Sequence, residues 1–264
     1  MENPRNKESL LRDTQSLCFY GTEFSSPTVE NFFSAADALI RSFGWTFDRM
    51  LFTEPRADKS ATMKYNLHKM IDCWTKKEYV CVGSMKTWKT GWKSDYSILA
   101  MISKSCAIIT FAEFDFVLDL ERSQKSLIEF ASLLNSPYSV FYDLPYNKSA
   151  YLYSVGIGAG FIDQKTEVNP DKKKQNERFY RWGWKGIPEK VWWNGYIRDV
   201  YPINIICEQQ AYHMVNGKRF VELVSEKVIP GEIKKVNNLF LWTVPYSKIN
   251  DTRVIVDGLG MIMQ

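Results

Sequence analysis

In the stretch Glu113-Phe114-Asp115-Phe116-Val117-Leu118-Asp119-Leu120, acidic and apolar residues alternate. Read as a strand, that period of two puts Glu113, Asp115 and Asp119 on one face and Phe114, Phe116, Leu118 and Leu120 on the other. Carboxylates gathered in this way can hold a divalent cation or divide acid and base roles between them. The plainer reading is a solvent-facing row on a half-buried sheet, and a third is an acidic patch that steers a basic protein partner. Cys207 and His213 would make a nucleophile and its base if the fold joined them, against a buried thiol and a surface histidine. His68, the other of the two histidines, has no second ligand at metal spacing. Gly156-Ile157-Gly158-Ala159-Gly160 approaches a phosphate-binding turn, but Phe161 stands where a dinucleotide fingerprint continues and no amphipathic helix follows. Glycines at that density mark a bulge or a close backbone approach. No G-x-S-x-G, H-E-x-x-H or C-x-x-C occurs.

A second kind of chemistry, recognition, is concentrated between Arg178 and Tyr201, RFYRWGWKGIPEKVWWNGYIRDVY. Trp, Tyr and Arg cover much apolar area while keeping a polar handle, and they dominate interface hot spots. The same residues also fill ordinary cores. Gly183, Gly186, Pro188 and Gly195 break the run, so one regular element cannot bury every ring. On this reading Arg181, Trp182, Trp184, Trp192, Trp193, Tyr196 and Arg198 form a partner-binding surface. Stacking of the rings on single-stranded nucleic acid beside Arg178, Arg181 and Arg198 is disfavoured by the neighbouring Glu177, Glu189 and Asp199.

Composition narrows the classes further. With 34 Lys plus Arg against 30 Asp plus Glu, the net charge of +4 in 264 residues is too small to mark a nucleic-acid binder. Lys172-Lys173-Lys174, flanked by Asp171 and Glu177, reads as a solvated loop. The five cysteines are odd in number and widely spaced, which suits reduced, buried thiols. No apolar run approaches the roughly 20 residues needed to span a bilayer, and the first residues lack a signal-peptide core. The expectation is a cytoplasmic protein with no membrane contact and no cofactor.

The elements that would position these residues read as α+β. Ser26-Pro27 followed by Val29, Phe32, Phe33, Ala36, Leu39, Ile40 and Phe43 up to Gly44 predicts a helix. Further helices are expected over 62–76, 123–135 and 218–227, with a short one from 250. Strands are expected at 16–20, 45–52, 78–85, 97–101, 107–111, 113–120, 138–144, 203–207, near 233 and at 239–244. Strands grouped with helices at irregular intervals predict helices packed on a mainly antiparallel sheet. The polar stretch 163–177 is the candidate boundary between an N-terminal half, 1–162, and a C-terminal half, 178–264, joined as two packed units or as one domain.

The segments NGYIRDVYPINIICEQQ from Asn194 to Gln210, GKRFVELV and NLFLWTV resemble bacterial immunity proteins of polymorphic-toxin and type VI secretion systems, and TVENFFSAADALIRSFGW is compatible with them. Where such families carry a WL-type motif, this chain has Trp192-Trp193-Asn194-Gly195. The resemblance implies stoichiometric inhibition, in which the protein occludes a cognate protein toxin and needs no catalytic residues. The expected protein is therefore a non-enzymatic binder. The competing expectations are a metal-dependent enzyme acting on nucleotides or nucleic acid through Glu113, Asp115 and Asp119, and a phage-defence or counter-defence factor.

Overall fold

Leu17 and Phe19 point one way along the first strand, Ser16, Cys18 and Tyr20 point the other, and all five are buried. A strand without a solvent face belongs in the interior of a sheet that is covered on both sides. The computed structural model describes residues 13–53, 60–76, 81–87, 96–103, 106–112, 118–145, 153–154 and 194–262. Its strands are β1 (Asp13–Tyr20), β2 (Arg49–Thr53), β3 (Ser60–Lys64), β4 (Cys81–Thr87), β5 (Tyr96–Ser103), β6 (Cys106–Phe111), β7 (Tyr138–Pro145), β8 (Ile203–Ile206), β9 (Met214–Val215), β10 (Lys218–Arg219), β11 (Glu232–Val236) and β12 (Leu239–Thr243). Its helices are α1 (Ser26–Arg41), α2 (Leu67–Lys76), α3 (Leu120–Leu133), α4 (Glu208–Ala211), α5 (Phe220–Ser225) and α6 (Ile249–Gly258).

Ten of the strands form one sheet in the order β11-β12-β8-β7-β1-β6-β5-β4-β2-β3. Every pairing in it is antiparallel. The fold is thus α+β, with β1 near the middle. Ser139, Val140 and Phe141 of β7 pair with Ile205, Asn204 and Ile203 of β8, so residues before and after the 163–177 stretch share the sheet.

One face is closed by helices. Ser25 and Pro27 start α1, and Val29, Phe32, Phe33, Ala36 and Ile40 form its buried stripe. Phe130 of α3 lies 5.7 Å from Phe19 and 5.9 Å from Phe32, which ties both helices to β1. The opposite face, carrying Cys18, Tyr20, Tyr138 and Tyr142, is covered by residues 197–201. Ile197 donates its backbone N–H to Met261 at 3.0 Å and bridges to Ile262, so the chain beyond α6 pins that cover.

Two expected elements are corrected. The helix expected over 62–76 begins only at Leu67. Residues 60–64 pair with β2, and Asn66 Oδ1 accepts the backbone N–H of Lys69 at 3.0 Å, so an asparagine cap fixes the start. The strand expected over 113–120 does not reach its end. Asp119 is the N-cap of α3, accepting the N–H of Arg122 at 2.7 Å, and Leu120 is already helical. Gln15 holds Leu118 through both backbone groups, at 2.6 and 3.2 Å. Glu113 and Asp115 lie outside the described residues, as do the glycines of 156–160 and the 163–177 stretch. The sequence pattern does not mark β3, α4 or the small β9–β10 hairpin, which is turned by Asn216 and Gly217, both at positive φ.

Candidate functional site

Of the expected surface residues, Arg181, Trp182, Trp184, Trp192 and Trp193 lie outside the described residues, whereas Tyr196 and Arg198 lie within them. Arg198 is 1% exposed, which removes it from any contact surface. Its Nη1 donates to Tyr20 Oη at 2.7 Å and to the Ser154 carbonyl at 3.2 Å, and its Nη2 donates to the Tyr153 carbonyl. The guanidinium lies 4.2 Å from the Tyr153 ring centre, and its backbone N–H donates to Tyr138 Oη at 3.2 Å. Tyr142 packs on Tyr153 at 5.0 Å and on Tyr201 at 5.8 Å, and the hydroxyls of Tyr153 and Tyr201 meet at 3.0 Å. A buried guanidinium is tolerated only when oxygens and ring faces replace its water. Burial pushes the phenols of Tyr20, Tyr138, Tyr142, Tyr153 and Tyr201 upward, with Arg198 pulling against it. This cage is packed with its own side chains. Its neighbour Asp199, also buried, accepts from Arg253 Nε of α6 at 2.5 Å and from the Val200 N–H at 2.8 Å.

Beneath the cage lie two thiols. Burial pushes Cys18 upward. Cys106 is lowered by its hydrogen bond with Cys18, and further by Ser154, Ser103 and the charge of Arg198. Both are fully enclosed, Cys106 being 1% exposed. At Cys207 burial raises the thiol, and its Sγ faces Gln210 Oε1 at 3.5 Å, the opposite of an activated nucleophile. The His213 ring lies tilted beside Tyr196 at 6.1 Å and sits over Gly195, where an added Cβ would lie 2.3 Å from its Nδ1. Asp119 is spent as a helix cap. No group of three or more His, Cys, Asp or Glu side chains among the described residues could hold a metal ion.

The open feature lies elsewhere, where three chain turns converge beside the ends of β7, β8 and β12. At the first, between α3 and β7, Asn135 takes a left-handed backbone (φ 49°) while the Ser136 N–H closes on the Ala131 carbonyl at 2.9 Å. Ser136 Oγ donates toward the Tyr20 and Tyr138 carbonyls at 2.7 and 2.9 Å, anchoring the turn to the sheet. At the second, between β8 and α4, Gln210 Oε1 accepts the Cys207 N–H at 3.0 Å while its Nε2 donates to the Tyr196 carbonyl at 2.7 Å. The third is the two-residue turn Asn237-Asn238, with Asn237 at φ 56°. Between them lies a hollow of about 400 Å³ lined by Asn135, Gln209, Asn237 and Asn238 with serines and Glu208, and also by the apolar Ala131, Pro137 and Leu239. A second hollow of about 380 Å³, which shares Glu208 and Gln209, is walled by Asn194, Tyr212 and His213. Together they form a groove. Tyr212 is held at its rim by Phe240 at 5.4 Å and by the Arg219 guanidinium at 5.2 Å.

Of the residues that line the hollows, Cys207 and His213 stand out in the sequence for a different chemistry, and the amides do not stand out. The signal available was modest: two Asn residues in the turn position between apolar strands, and a Cys-Glu-Gln-Gln run after one.

No family model matches this chain, and no curated protein matches it. Among solved structures it is similar to a T6SS protein of Pseudomonas aeruginosa, with 11% identity and a TM-score of 0.49 over 95% of this chain and 73% of the other. It is also similar to a structure of the toxic C-terminal tip of CdiA from Pseudomonas aeruginosa in complex with immune protein, with 15% identity and a TM-score of 0.27 over 50% of this chain and 86% of the other. At these values neither likeness carries an activity or a site across to this chain. Among the described residues no helix is long and apolar enough to cross a membrane.

Proposed function

We propose that this protein is a non-enzymatic binder that neutralises a cognate protein toxin by occluding it, in the manner of an immunity protein. The observation that supports this best is the groove: a recess of mixed amide and apolar lining where three turns meet, bordered by the exposed Tyr212. Rigid recesses with an aromatic rim bind partners without large ordering costs. The sequence resemblance of 194–210 to immunity proteins points the same way. The metal-dependent reading loses support, because Asp119, one of its three carboxylates, caps α3.

The test is co-expression with the product of the adjacent gene. A toxic neighbour whose growth arrest is relieved, together with a one-to-one complex on size-exclusion chromatography with light scattering, is the expected result. A neighbour that is toxic yet neither bound nor relieved overturns the reading.

A further inference from the structure

The lining of the groove constrains what it takes. Asn135, Gln209, Asn237 and Asn238 are primary amides, each offering two N–H donors and a carbonyl acceptor on one short arm. That is the pattern an extended peptide backbone presents along its edge, where N–H and C=O alternate. Glu208 is the one carboxylate in the two linings, and Lys235 stands 3.1 Å from it. Phosphate-bearing and strongly cationic ligands therefore find no uncompensated charge. The larger hollow has no aromatic wall, so a base or sugar ring has nothing to stack on.

Shape adds to this. The hollows share Glu208 and Gln209; Pro137 lines only the larger, and Tyr212 and His213 only the smaller. A trough that is open along its length suits a chain segment passing through it, whereas a small-molecule site buries most of its ligand. The walls are fixed by the Ser136 and Gln210 hydrogen bonds, so little is lost in ordering them.

We propose that this groove binds an extended, uncharged segment of the partner protein through its main chain, with the amides of Gln209, Asn237 and Asn238 pairing with its peptide groups and the Tyr212–His213 hollow taking one side chain. Main-chain pairing supplies the affinity and the side-chain hollow the selectivity. The inference rests on the reading of the chain as a protein binder, and its test is separable from that reading.

The probe is a displayed library of random peptides of about ten residues, panned on the full chain, on Asn238→Trp, which fills the larger hollow, and on Val254→Trp, which alters an exposed position of α6. The expected result is enrichment of peptides lacking central charges. Their binding should fall at least about tenfold in Asn238→Trp and in Gln209→Ala/Asn238→Ala, and hold in Val254→Trp, with all variants melting as the parent does. Methylating backbone nitrogens of an enriched peptide should weaken it about tenfold or more, and most of its side chains should tolerate alanine. Absence of enrichment, a charged consensus, or binding indifferent to Asn238→Trp overturns the proposal. A toxin complex that survives Asn238→Trp sinks the groove and leaves the toxin reading standing. Peptide capture without any toxin complex does the reverse.

Discussion

The Arg198 cage and the amide groove each bring several polar side chains together, yet they are opposite in kind. In the cage the Tyr20 hydroxyl and the Tyr153 and Ser154 carbonyls are turned to the guanidinium. Tyr20, Tyr138, Tyr153 and Ser154 come from distant parts of the chain, and their contacts clamp residues 197–201 onto the sheet. In the groove Asn135, Gln209, Asn237 and Asn238 are exposed, beside turn hydrogen bonds that are made by other side chains. Polarity that is consumed internally builds the fold, whereas polarity left over on a rigid edge can recognise something. The aromatic and arginine content that makes 178–201 look like an interface serves, at Arg198 and Tyr201, the first purpose.

This contrast can be broken most directly at Arg198. Arg198→Ala leaves a cavity and strips partners from buried hydroxyls and carbonyls, and is expected to cost about 3–5 kcal/mol. Urea unfolding measures it, and a loss below about 1 kcal/mol would mean the cage is not structural. Alkaline titration comes next. The folded-state phenols of Tyr20, Tyr138, Tyr142, Tyr153 and Tyr201 lie above their ordinary value, and the half-buried Tyr65 is pushed up to about 12, in each case chiefly by burial. Below about pH 10 both folded and unfolded chains hold these protons, and the contribution is complete. Above it the unfolded chain releases them first, so stability falls with rising pH, by up to about 1.4 kcal/mol per unit for each tyrosine. Tyrosinate absorbance should therefore appear together with loss of the circular-dichroism signal. Gradual ionisation of a chain that stays folded would contradict the packed cage. The smallest effect is at Asp119: Asp119→Ala should cost about 1 kcal/mol and Asp119→Asn only a few tenths, because either side chain can cap a helix. Equal losses in the two variants would return the carboxylate charge to consideration.

The legibility of the chain follows the range of the forces involved. α1 was plain in the sequence because a proline start, a repeating apolar stripe and the stop at Gly44 are all local. β6, β7 and β12 were plain because their apolar runs are short and bounded. The start of α2 is not legible because Thr62 and Met63 are also compatible with a helix, and only pairing with Leu51 and Met50 of β2 makes them strand. The end of the acidic stretch was misread because alternation outvoted a capping aspartate. Arg198 stands out by type, and type does not report depth; Tyr196, of the same stretch, is half-buried. Asn237 and Asn238 carry no sequence signal of a site because each amide reads as turn chemistry, and a groove arises only when three turns far apart in sequence are brought side by side.

The sequence by itself determined an α+β protein with a helix over its opening strand, reduced and widely spaced cysteines, and no recognisable catalytic signature, since periodicity, caps and motif spacing are written in neighbouring residues. Tertiary structure alone decided that ten strands make one sheet, that Arg198 is an internal clamp and that Gln209 meets Asn135 and Asn238 across an open groove. Burial and convergence depend on contacts between residues tens of positions apart, and no local pattern encodes them.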